Sequence, residues 1–310
     1  MQKWGKNRNG STRFRCRHCG SSSTRKRSDL SSKYKKDLFQ NWLLGKISVT
    51  EVAQKQSVTR QTLYTWFRSF WNDEPLPKRV DICDGVLIID GKYVERDATV
   101  LIACIFGRVV SWQFTQSETS SSWHTFLGSL HQIPFAIVCD GQRGMLKAIK
   151  ILFPRVIIQR CQFHVIHYCL AKLTQKPESI AAWELRLLVL KITSVKTKDQ
   201  FQVWFTDYIS WRKTYHDFLQ EKTYQDYSSL TPTGRRPWHY THGRLHAAHS
   251  HLKNAIPNLF KYVLYPKIPN TTNFVEGAIN SQLQEKLRFH RGLPLLKRRI
   301  LIAHFLSSKQ

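Results

Sequence analysis

Between residues 85 and 161 the apolar residues change rhythm twice, and that change leaves the chain few folds. "GVLIID" (85–90), "ATVLIACIF" (98–106) and "RVVSWQF" (108–114) are three β-rich runs. They are joined by "GKYVERD" and by a "GR" connection short enough for a tight hairpin, so the three pair antiparallel. Next come a helical "SSWHTFLGSLHQI", a fourth apolar run "FAIVCD", a helix "GMLKAIKILF" and a fifth run "RVIIQRC". A strand reached through a helical crossover returns parallel to its neighbour. From about 165 to 265 the pattern is helical, as in "SIAAWELRLLVLKI" and "DQFQVWFTDYISWRKTYHDFLQ". "NTTNFVEGAINSQLQEKLRF" and "LPLLKRRILIAHFLS" close the chain as helices.

Three antiparallel strands followed by alternating helix and parallel strand predict an α/β class, in the order of an RNase H-like domain over 79–310 with an all-helical insertion at about 165–265. A chain of 310 residues with 42% apolar content and 10 Trp, 11 Tyr and 17 Phe has the material for such cores. Charge decides the partner. Lys and Arg number 48 against 21 Asp and Glu, a formal +27 spread from the N-terminus to "LLKRR" at 295–299. A long basic footprint fits nucleic acid better than a membrane surface. No window of 18 apolar residues and no signal-peptide core is present, so an intracellular, cytoplasmic protein is expected. The 7 cysteines are an odd number set mostly inside apolar runs, which suits reduced thiols and implies no disulfide framework.

Ahead of the β-rich region two further segments are expected. Residues 1–30 form a basic arm whose Cys16-x-x-Cys19-Gly20 turn is half of a zinc ribbon, since a tetrahedral structural site needs four ligands. The alternative is a flexible arm with two thiols. Residues 31–78 read as helices with short breaks: Leu38, Trp42, Leu43 and Leu44 stripe the first, Thr50 caps the second and Thr59 the third. That is the layout of a helix-turn-helix, with Val52, Ala53, Val58, Leu63 and Trp66 inward and Arg60, Gln61, Thr62 and Thr65 outward, placed to reach base edges. A helical packing or dimer module has the same pattern. "NDEPLPKR" (72–79) is the linker.

With so few acids, a carboxylate at the end of an apolar strand is conspicuous, because an unpaired buried charge is costly. Asp90 ends "VLIID" and Asp140 ends "AIVCD". In this order strands one and four lie side by side, so the two carboxylates meet at one sheet edge, where a shared Mg²⁺ or Mn²⁺ offsets their repulsion. Either aspartate alone reads equally as a turn residue before glycine. Glu276 in "TTNFVEGAIN" is the third carboxylate; Asn273 three residues before it also makes it a helix-capping partner. Glu285 on the same helix is the rival.

The stretches "LIIDGKYV", "IVCDGQRGMLKAI", "QRCQFHVIHYC" and "TTNFVEGAINSQLQEKLRFHRGL" resemble the catalytic blocks of bacterial insertion-sequence DDE transposases of the Mutator-like superfamily. The resemblance covers roughly residues 80–300. It implies that Asp90, Asp140 and Glu276 are the catalytic triad and that Cys161-x-x-His164 is the superfamily's C-x-x-H signature, a structural mark near the active site. It implies a cytoplasmic, nucleoid-associated bacterial protein. Members commonly carry two C-x-x-C pairs in the N-terminal ribbon, whereas only Cys16 and Cys19 precede the helices here.

The function so implied is binding of an element's terminal inverted repeats, metal-dependent strand cleavage and joining of the freed 3′ end to target DNA by a homo-oligomer, with no membrane involved. Lys92, Arg143, Lys297, Arg298 and Arg299 are expected to hold phosphates. In "PWHYTHGRLHAAHSH" (237–251) Trp238 is placed to stack on a base or to fill a core, and His242, His246 and His249 share a helical face beside Arg235, Arg236, Arg244 and Lys253 as a DNA-facing surface. Zn²⁺ enters as a second candidate metal, at Cys16 and Cys19 or in a compact Cys161/His164/His167 cluster; packing that orients the insertion is the alternative for the latter. Two rival functions remain, a non-catalytic DNA-binding regulator and a nuclease without strand joining.

Overall fold

A computed structural model describes residues 1–8, 10–24, 32–95, 98–225 and 237–310. The chain divides into two compact units: Met1–Leu76 with Glu285–Ser308, and Pro77–Gln284 with Lys309–Gln310.

The first unit begins with a three-stranded antiparallel sheet, β1 (Gln2–Lys6), β2 (Thr12–Arg15) and β3 (Ser22–Thr24), in the order β1-β2-β3. The cysteine knuckle is the β2–β3 turn, closed by Gly20 N–H to the Cys16 carbonyl at 3.1 Å with Gly20 at φ 70°. Apolar material is scarce here, and the Arg15 guanidinium lies 4.6 Å from the Trp4 ring centre. Residues 9 and 25–30 of the basic arm lie outside the described residues.

Three helices follow, α1 (Ser32–Leu44), α2 (Val49–Lys55) and α3 (Arg60–Phe67). Ser48, and not Thr50, caps α2. Glu51 stands three residues after Ser48, so each side chain reaches the other's backbone N–H, a reciprocal pair that Thr50 does not have. Thr59 caps α3, accepting from Thr62 N–H at 3.1 Å. Val52, Ala53 and Leu63 are buried. Phe67, not Trp66, takes the remaining inward position, against Phe39 at 5.4 Å and Trp42 at 5.2 Å. Trp66 is half-buried, with the Lys35 ammonium over its ring.

The second unit is built on a five-stranded mixed sheet. Its strands are β4 (Val86–Glu95), β5 (Ala98–Ile105), β6 (Arg108–Thr115), β7 (Ala136–Cys139) and β8 (Ile157–Arg160), in the order β6-β5-β4-β7-β8. β4, β5 and β6 are antiparallel, and β7 and β8 join parallel beside β4. The protein is thus mixed α/β. The hairpin turn is Phe106–Gly107, both at positive φ, one residue earlier than the "GR" connection suggests. Helices α4 (Ser120–Gly128) and α5 (Arg143–Leu152) cover one sheet face, packing Trp123, Phe126, Leu127, Met145 and Ile149 on Leu87, Ile89, Leu101 and Ile137. The opposite face is buried as well, at Ile88, Val100, Ile102 and Cys104, which explains the continuous apolar runs.

After β8 the chain is helical: α6 (Gln162–Leu173), α7 (Ile180–Leu190), α8 (Lys198–Thr214) and α9 (His216–Gln220). The short pair β9 (Lys222–Tyr224) and β10 (Trp238–Tyr240) precedes α10 (Gly243–Ala255) and α11 (Lys261–Leu264). These helices have a core of their own around Leu185, Val189, Trp204, Tyr208, Trp211, Leu245 and Leu252. A π-helical stretch, Val275–Asn280, leads into α12 (Ser281–Phe289), and α13 (Leu295–Ser307) ends in the first unit, where His304 meets Phe39.

Candidate active site

Asp90 does not end its strand. β4 runs on through "GKYVE", because its antiparallel pairing with β5 continues past Asp90 to Lys92 opposite Val100, and "GKYVERD" is mostly strand rather than connection. On the other side β7 pairs only as far as Ile88 opposite Val138. That parallel register has a constant offset of 50, and carrying it two residues on sets Asp140 abreast of Asp90. The edge left open by β7's end is therefore where the two carboxylates come together.

Glu276 reaches the same edge from the π-helical stretch, which contacts β4. Single π turns shift the side chains that follow and are frequent at functional sites. Here Asn280 Nδ2 donates to Asp90 Oδ2 at 2.7 Å. Glu276 Oε1 accepts from the Thr272 hydroxyl at 2.6 Å and makes no capping pair with Asn273. Glu285 belongs to the first unit, exposed and paired with Lys46 at 2.7 Å.

The electrostatics match crowded carboxylates. Burial, and then the charge of Asp140, raise the Asp90 pKa from 3.8 to about 6; Glu276 adds to this, while His164 and Asn280 oppose it. A fourth acid, marked by no motif or strand end, stands next to them. Glu118 lies against Gly91, where a Cβ would overlap its carboxylate. Burial, then Asp140 and Asp90, lift its pKa to about 7.

The Cys161-x-x-His164 pair is part of this arrangement. Cys161 Sγ accepts from Thr272 N–H at 3.3 Å and lies 3.2 Å from the Thr272 hydroxyl. His164 Nδ1 is buried, without a hydrogen-bond partner, 3.6 Å from Glu276 Oε1. The neighbouring Cys161 sulfur raises the His164 pKa to about 9, against the opposing effect of burial, and Glu276 and Asp90 reinforce the rise. Burial acts upward on Cys161, yet His164 and Thr272 together bring its pKa below the usual thiol value.

Among the described residues, the group of potential ligands whose atoms all lie within 4.8 Å of one another is Cys161, His164 and Glu276. His167 is not in it; its ring stacks on Phe163. Asp90, Asp140 and Glu276 do not close to that distance, while Glu276 Oε1 lies 3.6 Å from His164 Nδ1. Two kinds of metal therefore fit different parts of the site. The carboxylates, with the buried and unpartnered Asn280 Oδ1, offer hard oxygen donors suited to Mg²⁺. Sulfur, imidazole and one carboxylate suit Zn²⁺. Cys16 is half-buried and Cys19 exposed, and hydrogen bonding with Ser21 lowers the Cys19 pKa to about 7, but these remain two ligands.

The basic and aromatic residues expected to meet DNA are dispersed. Lys92 follows Asp90 on the same face of β4. Arg143 is exposed at the start of α5. Trp238 is exposed on β10 with the Lys222 ammonium 4.1 Å from its ring centre. Arg60 and Gln61 are exposed on α3, whereas the Thr62 hydroxyl meets Thr59 and the Thr65 hydroxyl donates to the Gln61 carbonyl. In the first unit Arg299 pairs with Glu74 at 3.0 Å, Arg298 donates to the Leu293 and Arg291 carbonyls, and Lys297 lies over Trp71. The histidines do not form a charged face. His249 is buried, bonded to the Tyr208 hydroxyl, with its pKa pushed down to about 4 chiefly by burial. His242 bonds Glu221 and His246 stacks on Tyr240. Arg244 donates to the last carbonyls of α6, and Arg235 and Arg236 lie outside the described residues.

The family model described as Transposase, Mutator family, matches residues 105–228. This segment is similar to the transposases of that family. The transposase match contains Glu118, Asp140, Cys161 and His164; Asp90 and Glu276 lie outside it. No curated protein matches the chain. Among the described residues no helix is long and apolar enough to cross a membrane.

Proposed function

We propose that the protein is a DDE transposase that cuts DNA strands and joins the freed 3′ ends to target DNA, using an RNase H-like catalytic domain and Asp90, Asp140 and Glu276 as catalytic carboxylates. The observation that carries this reading is the convergence just described: Asp140 close enough beyond the β4–β7 pairs for its charge to raise the Asp90 pKa, and the π-helical stretch bonded to Asp90 through Asn280. The transposase match over residues 105–228 supports the reaction class.

Asp90, Asp140 and Glu276 would hold divalent metal, Mg²⁺ or Mn²⁺, whose chemistry is to polarise the scissile phosphate and to lower the pKa of attacking water or 3′-hydroxyl. The chain's own residues do the rest. Asn280 fixes one Asp90 oxygen, and Thr272 fixes one Glu276 oxygen, so both carboxylates present their remaining lone pairs in a set direction. His164, with its pKa raised to about 9, would supply positive charge beside Glu276. Lys92 and Arg143 are offered to phosphates without reading sequence. Helices α2 and α3 act as the helix-turn-helix that recognises element ends, with Arg60 and Gln61 toward base edges. The strong positive charge supplies non-specific affinity for double-stranded DNA, and a homo-oligomer would hold two ends together.

The test is a cleavage and joining assay on DNA that flanks the gene, with and without Mg²⁺. Binding without cleavage would favour the regulator, and cleavage without joining of a pre-cut 3′ end the nuclease.

A further inference from the structure

Arg160 stands at the end of β8, opposite Cys139, and is only 5% exposed. Its Nη2 donates to the Asp140 carbonyl at 3.0 Å and lies 3.5 Å from His251 Nε2, while its Nε is buried without a partner. Among the described residues no carboxylate lies within ion-pair distance of it. Burial disfavours the guanidinium and outweighs the favourable charge of Asp140, so a closer anion would stabilise Arg160 further. His251 does not supply the charge, since burial and then Arg160 lower its pKa to about 4 and leave it neutral at physiological pH.

Arg160 lines a cavity of about 490 Å³ together with Gln142, Arg143, Tyr168, Ser250 and His251. Helix α5 begins at this cavity. Its N-cap, Gln142, makes no side-chain capping bond, so first-turn amides are free of a cap, and Gln142 Oε1 is buried without a partner. Gly141 fits the arrangement in two ways. Its φ is +82°, and a Cβ there would overlap Arg160 Nε. A cationic wall, an uncapped ten-residue helix and a glycine that clears the guanidinium all point to one class of ligand.

We propose that this cavity is a phosphate subsite, holding a phosphodiester group of the DNA strand beside the one that is cut, with its oxygens on Arg160 and the first turn of α5 and with Arg143 at the mouth. The subsite rests on the reading of the chain as a DNA-cutting enzyme. It adjoins that centre directly: Asp140 immediately precedes Gly141, and Asp140 Oδ1 accepts the Gln142 N–H at 2.8 Å. A strand seated here is positioned by its backbone alone, independent of base sequence.

The experiment walks a single neutral methylphosphonate along each linkage of an end-containing oligonucleotide and measures affinity for the full chain in EDTA, where cutting is silent. One linkage should weaken binding about 10- to 100-fold, the worth of one or two charge-assisted hydrogen bonds. Two variants should erase that dip: Arg160→Gln, and Ser250→Asp, which sets a carboxylate beside Arg160 in place of the phosphate and should fold even if Arg160→Gln does not. Inorganic phosphate should raise the melting temperature of the wild type and not of Ser250→Asp. A flat methylphosphonate profile, or a dip that survives in a folded Ser250→Asp, overturns the subsite. A dip in a protein that never cuts DNA upholds the subsite and removes the catalytic reading instead.

Discussion

Cys161 and Glu276 are joined through one hydroxyl: Thr272 Oγ1 lies 3.2 Å from the sulfur and 2.6 Å from the carboxylate oxygen. The Thr272 hydroxyl is directed at both groups, its shorter contact being to Glu276, and the sulfur also accepts from the Thr272 N–H at 3.3 Å. The C-x-x-H cysteine thus acts on Glu276 at one remove. Cys161→Ala and Thr272→Val should each lower the cleavage rate about 10- to 100-fold, the usual effect of losing a group that orients a metal ligand. Thr272→Ser should restore most of it. Wild-type rates in both Cys161→Ala and Thr272→Val would leave the cysteine as packing only.

The raised pKa of Asp90 gives a signed pH effect. The folded value of about 6 exceeds the unfolded 3.8, so between them the folded chain keeps a proton that unfolding releases. The contribution of Asp90 to stability is present below about pH 4 and is lost as pH rises through 6. In EDTA, the melting temperature of wild type minus that of Asp90→Asn should fall across this window, and Mg²⁺ should flatten the fall. A difference that rises with pH would mean that Asp90 is held as a carboxylate by a partner.

Zinc should inhibit. Cys161, His164 and Glu276 are close enough to share one ion, and that ion would hold Glu276 away from Asp90. Added to a Mg²⁺-supported reaction, low Zn²⁺ should slow cleavage in the wild type and much less in Cys161→Ala, as a titration of initial rate against Zn²⁺ would show. Equal inhibition of both proteins would place the zinc elsewhere.

For sequence recognition, Arg60→Ala should cost on the order of 1 to 3 kcal/mol of discrimination between element ends and unrelated DNA, the worth of a base contact. Competition binding measures it. An unchanged preference would argue that α3 packs and does not read.

The strand order and the apolar runs of the sheet were legible because both faces are buried, so β-rich stretches stand out from the helices between them. Asp90 and Asp140 were legible for the same reason, as charges at the limits of such runs. The length of β4 was not, since "GKYVE" has turn-like residues that are kept in strand only by pairing with β5. The cap at Ser48 was missed because Thr50 is as good a capping type, and the reciprocal Glu51 bond decides. Glu118 and Arg160 carried no readable signal. Their roles depend on Gly91 and Gly141 lacking a Cβ, a tertiary match between residues far apart in sequence. His249 looked like a charged surface residue through spacing alone, and its burial against Tyr208 is settled by how α8 and α10 pack.

In the function proposed, Glu276 completes the set of catalytic carboxylates. The most direct measurement is Mg²⁺-dependent cutting and joining by Glu276→Gln, with Glu285→Gln as the control. Glutamine keeps the Thr272 bond and the shape of the helix but removes a charged oxygen from the cation. Activity should fall by orders of magnitude in Glu276→Gln, with melting temperature and DNA affinity nearly unchanged, while Glu285→Gln behaves as wild type. Wild-type joining by Glu276→Gln in Mg²⁺ would show that Glu276 is not a catalytic carboxylate.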